Sequence, residues 1–422
     1  MPVSDTLPGR FAGQMGQLLG PDFPTAIGLA VSGGGDSMAM LALTHEWARI
    51  YGVTLRVATV DHGLRTESAA EAQMVARECA DLGHAHDILH WQWNGQGNLQ
   101  DAARRARLDL IAQWRGDLDH VLFAHTRDDQ AETVLMRLLR GSGVEGLSAM
   151  APMREMGGWQ VLRPLLQETR ADLRHHVTTL RVPFVDDPSN EDDTYERVRT
   201  RRAISDLDLD AASLAETAAR MGRAREALTA RAISVAGEVV YQDTYGGRPT
   251  GDLIFDRDGL VQIERDTQLR LLAAALQWVS NAEYRPRARA LEALLDRALA
   301  GGGGTLHGAR VIMGGATLRI CREYAAVADL AVPLKTPAIW DRRWWIETDR
   351  VDDHILRALG ADGWQQLTDR PSDAPPYEAA IATPALFDGA HLVASALFTT
   401  SPQLTATLRP RRGTFVASLK SR

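Results

Sequence analysis

Between Val31 and Met38 the chain reads Ser32-Gly33-Gly34-Gly35-Asp36-Ser37, a run of small, hydroxyl-bearing and acidic residues. An apolar stretch, Ala26 to Val31, precedes it and a helical pattern, Met38 to Trp47, follows, so the six residues form the turn of a strand–turn–helix unit. Three successive glycines let the backbone take positive φ and approach a ligand closely, and the free N–H groups at the start of the helix form an anion nest. Ser32 and Ser37 add hydroxyls. Asp36 is the odd member, because a carboxylate facing phosphate is repulsive unless a cation joins them, and Mg²⁺ with nucleotide phosphates is the usual case. The loop lacks the lysine of GxxxxGK[ST] and does not have the GxGxxG spacing. The competing reading is a glycine turn before a core helix, with Asp36 as a cap.

A second constellation is Ala124-His125-Thr126-Arg127-Asp128-Asp129-Gln130-Ala131-Glu132-Thr133. Ala131, Val134, Leu135, Leu138 and Leu139 form an i, i+3, i+4, i+7, i+8 stripe, which predicts an amphipathic helix over Arg127 to Arg140 packed on a sheet. Asp128 and Asp129 stand four and three residues before Glu132, so the three carboxylates share one helix face. On this reading they lie at the carboxyl edge of the sheet, near the glycine loop. The alternative is that Asp128 and Asp129 cap the helix and complement its dipole.

The elements that must position these groups follow from periodicity. Short apolar runs at Ala26 to Val31, Leu55 to Val60, His86 to Trp91, His120 to Ala124 and Val182 to Val185 alternate with helical patterns, the signature of βαβ units on a parallel sheet. After Arg202 the texture becomes Ala-, Leu- and Arg-rich, with helical segments expected at Leu207 to Ala232 and Thr267 to Ala300. Gly301 to Gly304 reads as a flexible joint before a hairpin of Thr305 to Met313 and Ala316 to Ile320, turning at Gly314 and Gly315. Prolines and the tryptophans Trp340, Trp344 and Trp345 mark a small α+β module ending in a basic tail, Arg409 to Arg422, that either contacts phosphate or is disordered. The expected divisions are 1–202, a nucleotide-binding catalytic domain, 203–328, a mainly helical domain, and 329–422, the C-terminal module.

The 422 residues carry 47 basic and 54 acidic side chains, a net charge of -7 that excludes a uniformly basic protein but leaves room for local patches. No window approaches 18 consecutive apolar residues, so no membrane span is expected. The two cysteines, Cys79 and Cys321, make neither a disulfide framework nor a CxxC pair, which fits a reducing cytoplasm.

Ser32 to Ser37 resembles the SGGxDS signature of the PP-loop pyrophosphatases, which cleave ATP between the α- and β-phosphates to adenylate a substrate. Three further segments resemble one family within that superfamily, the tRNA(Ile)-lysidine synthetases. They are Val60-Asp-His-Gly-Leu-Arg65 with Thr66-Glu-Ser-Ala, like NHGLRxES; Ala124 to Thr133, like AHHxDDQxET; and Asp187-Pro-Ser-Asn190 with Tyr195 and Arg197, like DPSNxDxxYxRxR. Arg163-Pro-Leu-Leu166 and Asn98-Leu-Gln with Arg104 and Arg107 agree in spacing and order, and the whole resemblance covers about residues 26 to 202. Asp61, Thr126, Leu108 and Thr200 depart from it, standing where an asparagine, a second histidine, a tyrosine and an apolar residue are usual.

The resemblance implies an α/β parallel-sheet PP-loop domain, of the adenine nucleotide alpha hydrolase type, followed by a mainly helical domain and a small α+β module. It implies a ligase that joins free L-lysine to C2 of the wobble cytidine of CAU-anticodon tRNA(Ile), with ATP cleaved to AMP and pyrophosphate. Ser32 to Ser37 would hold the ATP phosphates, Asp36 with Asp129 would position Mg²⁺, and Asp128 or Glu132 would bind the lysine amine and take its proton. His125 would stabilise charge on the phosphate. Arg104, Arg107, Tyr195, Arg197, Arg199 and Arg201 are candidates for tRNA or phosphate contact, against the plainer reading of solvated faces and salt bridges. The partners are then tRNA, lysine and ATP, with no membrane and with the oligomeric state, a homodimer included, left open. Another PP-loop ligase or a tRNA thiolase is the rival enzyme, disfavoured by the missing cysteines, and a non-catalytic RNA-binding protein is the rival from outside enzymology.

Overall fold

The computed structural model describes residues 5–63, 67–93, 95–96, 99–186, 194–334, 337–348, 354–368, 371–398 and 404–420. They form two compact units, Met1–Glu226 and Ala227–Arg422, and the division falls within one long helix.

The first unit contains α1 (Leu7–Leu19), β1 (Ala26–Ala30), α2 (Gly35–Tyr51), β2 (Thr54–Asp61), α3 (Ser68–Asp81), β3 (Ala85–His90), α4 (Leu99–Trp114) and β4 (His120–Phe123). It continues with α5 (Arg127–Leu139), α6 (Val144–Leu147), β5 (Met153–Glu155), β6 (Gln160–Leu162), α7 (Arg170–Leu180), α8 (Glu196–Asp206) and the start of α9 (Ala211–Val239). The sheet order is β3-β2-β1-β4-β6-β5, parallel except for β5. Ile27 and Leu29 of the central strand, two residues apart and so on one face, are fully buried in the core shared with α1, α2, α3 and α7. Gly28 lies between them because a Cβ there would stand 3.1 Å from both Trp114 and Val121.

Four of the five expected strands are present, their ends within about one residue of expectation. The fifth is not: within Val182 to Val185 only Val185 makes a bridge, to Gly34. The segment is four residues long, leaves α7 through Arg181 in the left-handed region (φ 58), and contains Pro183, which has no N–H for a ladder. The sheet is completed instead by the β5–β6 hairpin, whose three-residue strands are too short to show a period. Helix α5 buries Ala131, Val134 and Leu135 as expected, but Leu138 and Leu139 are 53% and 76% exposed, since its last turn projects beyond the apolar surface that covers the first half. Cys79 of α3 is buried, and burial pushes its thiol up to about 12, so it serves as a small apolar side chain.

The second unit is built on the remainder of α9, with β7 (Val240–Tyr245), β8 (Arg248–Asp256), α10 (Arg257–Val261), α11 (Arg265–Ser280), α12 (Ala288–Leu299), β9 (Gly304–Leu306), β10 (Ala309–Gly314) and β11 (Thr317–Arg322). The helical stretch expected from Thr267 to Ala300 is two helices, broken at Asn281 (φ 53). A five-stranded antiparallel sheet, β7-β8-β11-β10-β9, accompanies the helices, and its β10–β11 hairpin turns at Gly314 and Gly315 as expected. The glycine run before it is not a joint: Gly304 pairs with Val311, and a Cβ on Gly303 would lie 2.6 Å from the Val311 carbonyl oxygen.

Beyond it lie β12 (Val332–Pro333), β13 (Ala338–Trp340), β14 (Trp344–Glu347), β15 (Ile355–Ala358), α13 (Gly360–Gln366), α14 (Tyr377–Ala380), β16 (Pro384–Asp388), β17 (His391–Ser395), β18 (Thr405–Leu408) and α15 (Phe415–Lys420). Two small sheets, β12-β15-β16-β17 and β13-β14-β18, enclose Trp340, Trp344, Ile346 and Leu386. The described part of the basic tail is docked: Phe415 is buried and its N–H donates to Gln242 Oε1 at 2.8 Å. No helix among the described residues is long and apolar enough to cross a membrane.

Candidate active site

The glycine loop is organised by its own serines. Ser37 Oγ donates to the Gly34 carbonyl (2.9 Å), accepts from the Ser32 N–H (3.1 Å) and lies 3.2 Å from Ser32 Oγ. Gly33 has φ +89, a conformation closed to most side chains, and its carbonyl accepts from the Val185 N–H at 3.0 Å. The segment that fails to form a fifth strand thus pins the loop from the outside. The N-cap of α2 is Gly34, which brings no side chain to satisfy the first helical N–H groups, so they remain available to an anion. Asp36 stands in that first turn.

The carboxylates of α5 arrive at the carboxyl end of β4, the strand beside β1. Thr126 and Asp129 form a capping box: the Asp129 N–H donates to Thr126 Oγ1 (3.3 Å), and Asp129 Oδ2 accepts from the Thr126 N–H (2.8 Å) and from Thr126 Oγ1 (3.1 Å). The capping reading of this aspartate therefore holds, with Oδ2 on the helix end, while Oδ1 faces outward to a cation. Thr126 is fully buried, and its hydroxyl caps α5 at the position where a second histidine is usual in the resemblance. We expect Thr126→Val to cost about 1–2 kcal/mol and Thr126→Ser only a few tenths, measured by urea unfolding. Equal stability of Val and Ser variants would show that the cap contributes nothing.

That cation is Arg170, the first residue of α7. Its guanidinium reaches Asp36 Oδ2 (3.2 Å through Nε), Asp129 Oδ1 (3.1 Å through Nη2) and Glu132 Oε1 (3.5 Å through Nη1), while its backbone N–H donates to Asp128 Oδ2 at 2.8 Å. Four carboxylates from the two sequence constellations are brought together on one residue that neither constellation contains. Sequence reasoning missed Arg170, although Thr169-Arg-Ala-Asp172 has the spacing of a helix start and Thr169 Oγ1 does accept from the Asp172 N–H (2.9 Å). Glu168, also missed, is buried and held by a fork from Arg10 of α1, while its carbonyl accepts from the Arg127 N–H at 2.9 Å. It ties the start of α5 to the start of α7.

Glu132 is 1% exposed and is the hub of a second ring of charge. Arg201 Nε donates to its Oε1 at 2.9 Å and Arg197 Nε stands 3.8 Å from its Oε2. Two of the proposed RNA-facing arginines are therefore turned inward, in part, onto a buried carboxylate. Arg199 donates to the Thr194 carbonyl at 2.9 Å, and Tyr195 is the N-cap residue of α8, half-buried. Thr200 is buried where an apolar residue is usual in the resemblance, and it satisfies its hydroxyl on the Glu196 carbonyl (2.8 Å). Arg104 and Arg107 lie three residues apart on α4 with exposed side chains. Asp187 to Asn190, Leu64 to Thr66 and Asn98 lie outside the described residues.

The charge distribution sets the chemistry. Burial pushes Asp36 up to about 6, Asp129 and Asp128 adding to it and Arg170 opposing. Burial works the same way on Asp129, but Arg170, Arg197 and the Thr126 N–H outweigh it and hold that carboxyl below its ordinary value. Burial also opposes the charge on Arg170, yet Asp129, Asp36 and Glu132 raise it above the ordinary arginine value. His125 closes β4, its ring stacked 6.1 Å from Phe123; burial, with Arg163 adding to it, pushes its imidazole down to about 3. At neutral pH it is an uncharged ring, and its buried Nδ1 has no hydrogen-bond partner among the described residues. His62, from the second motif, is likewise pushed down to about 4 by burial and Arg107, while Asp61 stays a turn-forming residue that accepts from the Gly63 N–H and Ser68 Oγ.

Mg²⁺ keeps several waters and takes one or two carboxylates together with substrate phosphates, so a closed protein cage is not expected. Among the described residues no group of three or more His, Cys, Asp or Glu is arranged to hold a metal alone. Asp36 and Asp129 nevertheless aim hard oxygen atoms at one shared cation position beside the nest, a donor set that fits Mg²⁺ shared with a bound polyphosphate.

The family model of the PP-loop domain matches residues 8–207. A tRNA(Ile)-lysidine synthase of Ruegeria pomeroyi is 43% identical over 94% of this chain and 94% of its own length. Those of Methylobacterium nodulans and Wolbachia pipientis are 40% and 34% identical, covering 74% and 75% of this chain and 95% and 76% of theirs. Matched by the PP-loop family model over residues 8–207 and by a relative over 94% of its length, the chain belongs to the tRNA(Ile)-lysidine synthase family, ATP-dependent ligases built on a PP-loop domain.

Proposed function

We propose that this chain ligates free L-lysine to C2 of the wobble cytidine of CAU-anticodon tRNA(Ile), forming lysidine, AMP and pyrophosphate through an adenylated cytidine. The observation that carries the reading is the placement of Asp36, Asp128, Asp129 and Glu132 around one cation position beside the open first turn of α2. The α2 nest and Ser32 bind the ATP phosphates, with Gly33, Gly34 and Gly35 allowing the close approach. Asp36 and Asp129 would hold Mg²⁺, which when bound neutralises phosphate charge and so favours attack at the α-phosphorus.

The cytidine O2 attacks that phosphorus and pyrophosphate leaves; the lysine ε-amine then attacks C2 and AMP leaves. The amine must first lose a proton. Asp128 is the better base of the two candidates, because one of its oxygens is held by the Arg170 N–H and the side chain is half-buried, whereas Glu132 is enclosed by arginines. His125, uncharged, offers the phosphate a neutral hydrogen bond. Arg104, Arg107, Arg197, Arg199 and Arg201 supply phosphate contacts for the tRNA, and Tyr195 offers a ring for a splayed base. The helical and C-terminal parts, expected at 203–328 and 329–422, grip the remainder of the tRNA.

The test is incorporation of labelled lysine into an unmodified CAU-anticodon tRNA(Ile) transcript with ATP and Mg²⁺, against elongator tRNA(Met) with the same anticodon. Incorporation into the first alone is expected. Pyrophosphate release without incorporation would keep the adenylating site and reject lysine as the nucleophile, and silence in both assays would reject the ligase.

A further inference from the structure

Arg170 is more than one more charge in the site. Its side chain spends all three guanidinium nitrogens on carboxylates, Asp36, Asp129 and Glu132, and its N–H is fastened by Asp128. Asp36 and Asp129 are the same two carboxylates that would meet a metal: Asp129 Oδ2 is consumed by the capping box, so Oδ1, the atom on Arg170, is its outward-facing donor. Glu132 differs, because it keeps Arg201 at 2.9 Å whatever Arg170 does.

We infer that Arg170 is a built-in placeholder cation, a positioning residue whose guanidinium holds Asp36 and Asp129 in register in the ligand-free protein and hands them to the divalent cation that enters with the nucleotide. This rests on the proposed function for the identity of the incoming group, and on geometry for the rest. Two carboxylates beside an anion nest would otherwise repel each other and the phosphates, and the loop would relax away from the arrangement the nucleotide needs. A guanidinium is suited to the task because its planar fork spans several carboxylates at once, which an ammonium cannot do. On handover it retains its hold on Glu132, and α7 is kept in place by the Asp128 bond and by Thr169.

A residue that only stabilised the fold would not compete with metal, whereas a placeholder must. The experiment is calorimetric titration of the full chain with MgCl₂ alone, without nucleotide or tRNA, for the parent, Arg170→Gln and Arg170→Lys. The expected result is that R170Q binds Mg²⁺ at least about tenfold tighter than the parent, within the usual range of coupling between two ligands of one site, with R170K in between. Mg²⁺ affinity in R170Q equal to or weaker than that of the parent would overturn the inference. Should R170Q fail to fold, R170K decides: affinity above the parent's supports handover and unchanged affinity overturns it. Because the readout needs no turnover, a protein that fails to incorporate lysine yet shows the shift would sink the ligase reading and leave the handover standing.

Discussion

Replacing Asp36 with asparagine is expected to slow lysine incorporation and tRNA-dependent pyrophosphate release by about 10²–10³-fold, the size of loss seen when one preorganised electrostatic group is removed from a reaction site. The same substitution is expected to make the protein more stable at neutral pH. Asp36 is a carboxylate placed against its own interest: burial and two neighbouring aspartates push it up to about 6 from an ordinary 3.8. A carboxyl whose pKa is raised on folding favours the folded state most below its unfolded value, and that contribution is lost as the pH rises through the folded value. The stability difference between D36N and the parent should therefore be small near pH 4 and grow in favour of the variant up to about pH 6, then level off.

Urea unfolding at pH 4, 5, 6 and 7.5 reads this directly. A flat difference across that range would mean that Asp36 is not strained in the ligand-free protein, and undiminished pyrophosphate release would remove it from the metal-holding pair. The opposite signs of the two effects are what distinguish a site residue from a structural one, since strain at a reaction centre is tolerated for what it does there.

Glu132 predicts the reverse combination. It is buried, and three guanidinium groups, from Arg170, Arg197 and Arg201, lean on its two oxygens. Glu132→Ala leaves those cations facing one another without their common counter-ion. Removing one partner of a buried ionic cluster typically costs several kcal/mol, and because Arg197 and Arg201 are 45% and 39% exposed and can turn to water, we expect about 2–4 kcal/mol here. Glu132→Gln keeps the shape and one acceptor and should lose less. Both are measured by urea unfolding at pH 7.5, and a loss below about 0.5 kcal/mol for the alanine variant, the size of an ordinary surface substitution, would show that the arginines do not depend on it. Activity should fall along with stability in E132A, because α5 and α8 are joined through this residue and both carry site groups.

Local patterns carried much of the molecule. The hexapeptide from Ser32 to Ser37, with a strand before it and a helix after it, announces an anion nest because strand, turn and helix signals act over a few residues. The buried half of α5 follows from spacing in the same way. Where local patterns were too short or ended early, the expectation slipped: the three-residue strands β5 and β6 have no visible period, and the last turn of α5 keeps its apolar residues without a surface to cover them.

The identity of the central cation is a different kind of fact. Asp36 and Arg170 are 134 positions apart and Glu132 and Arg201 are 69 apart, and no pattern within either segment encodes their meeting. It is produced by the parallel sheet, which sets the carboxyl ends of β1 and β4 side by side, and by Glu168, which binds the start of α7 to the start of α5. Residue type and spacing say which carboxylates want a cation; packing at long separation in the chain chooses the one that answers, because side-chain charge has no periodicity and is felt only across the space that the fold has closed.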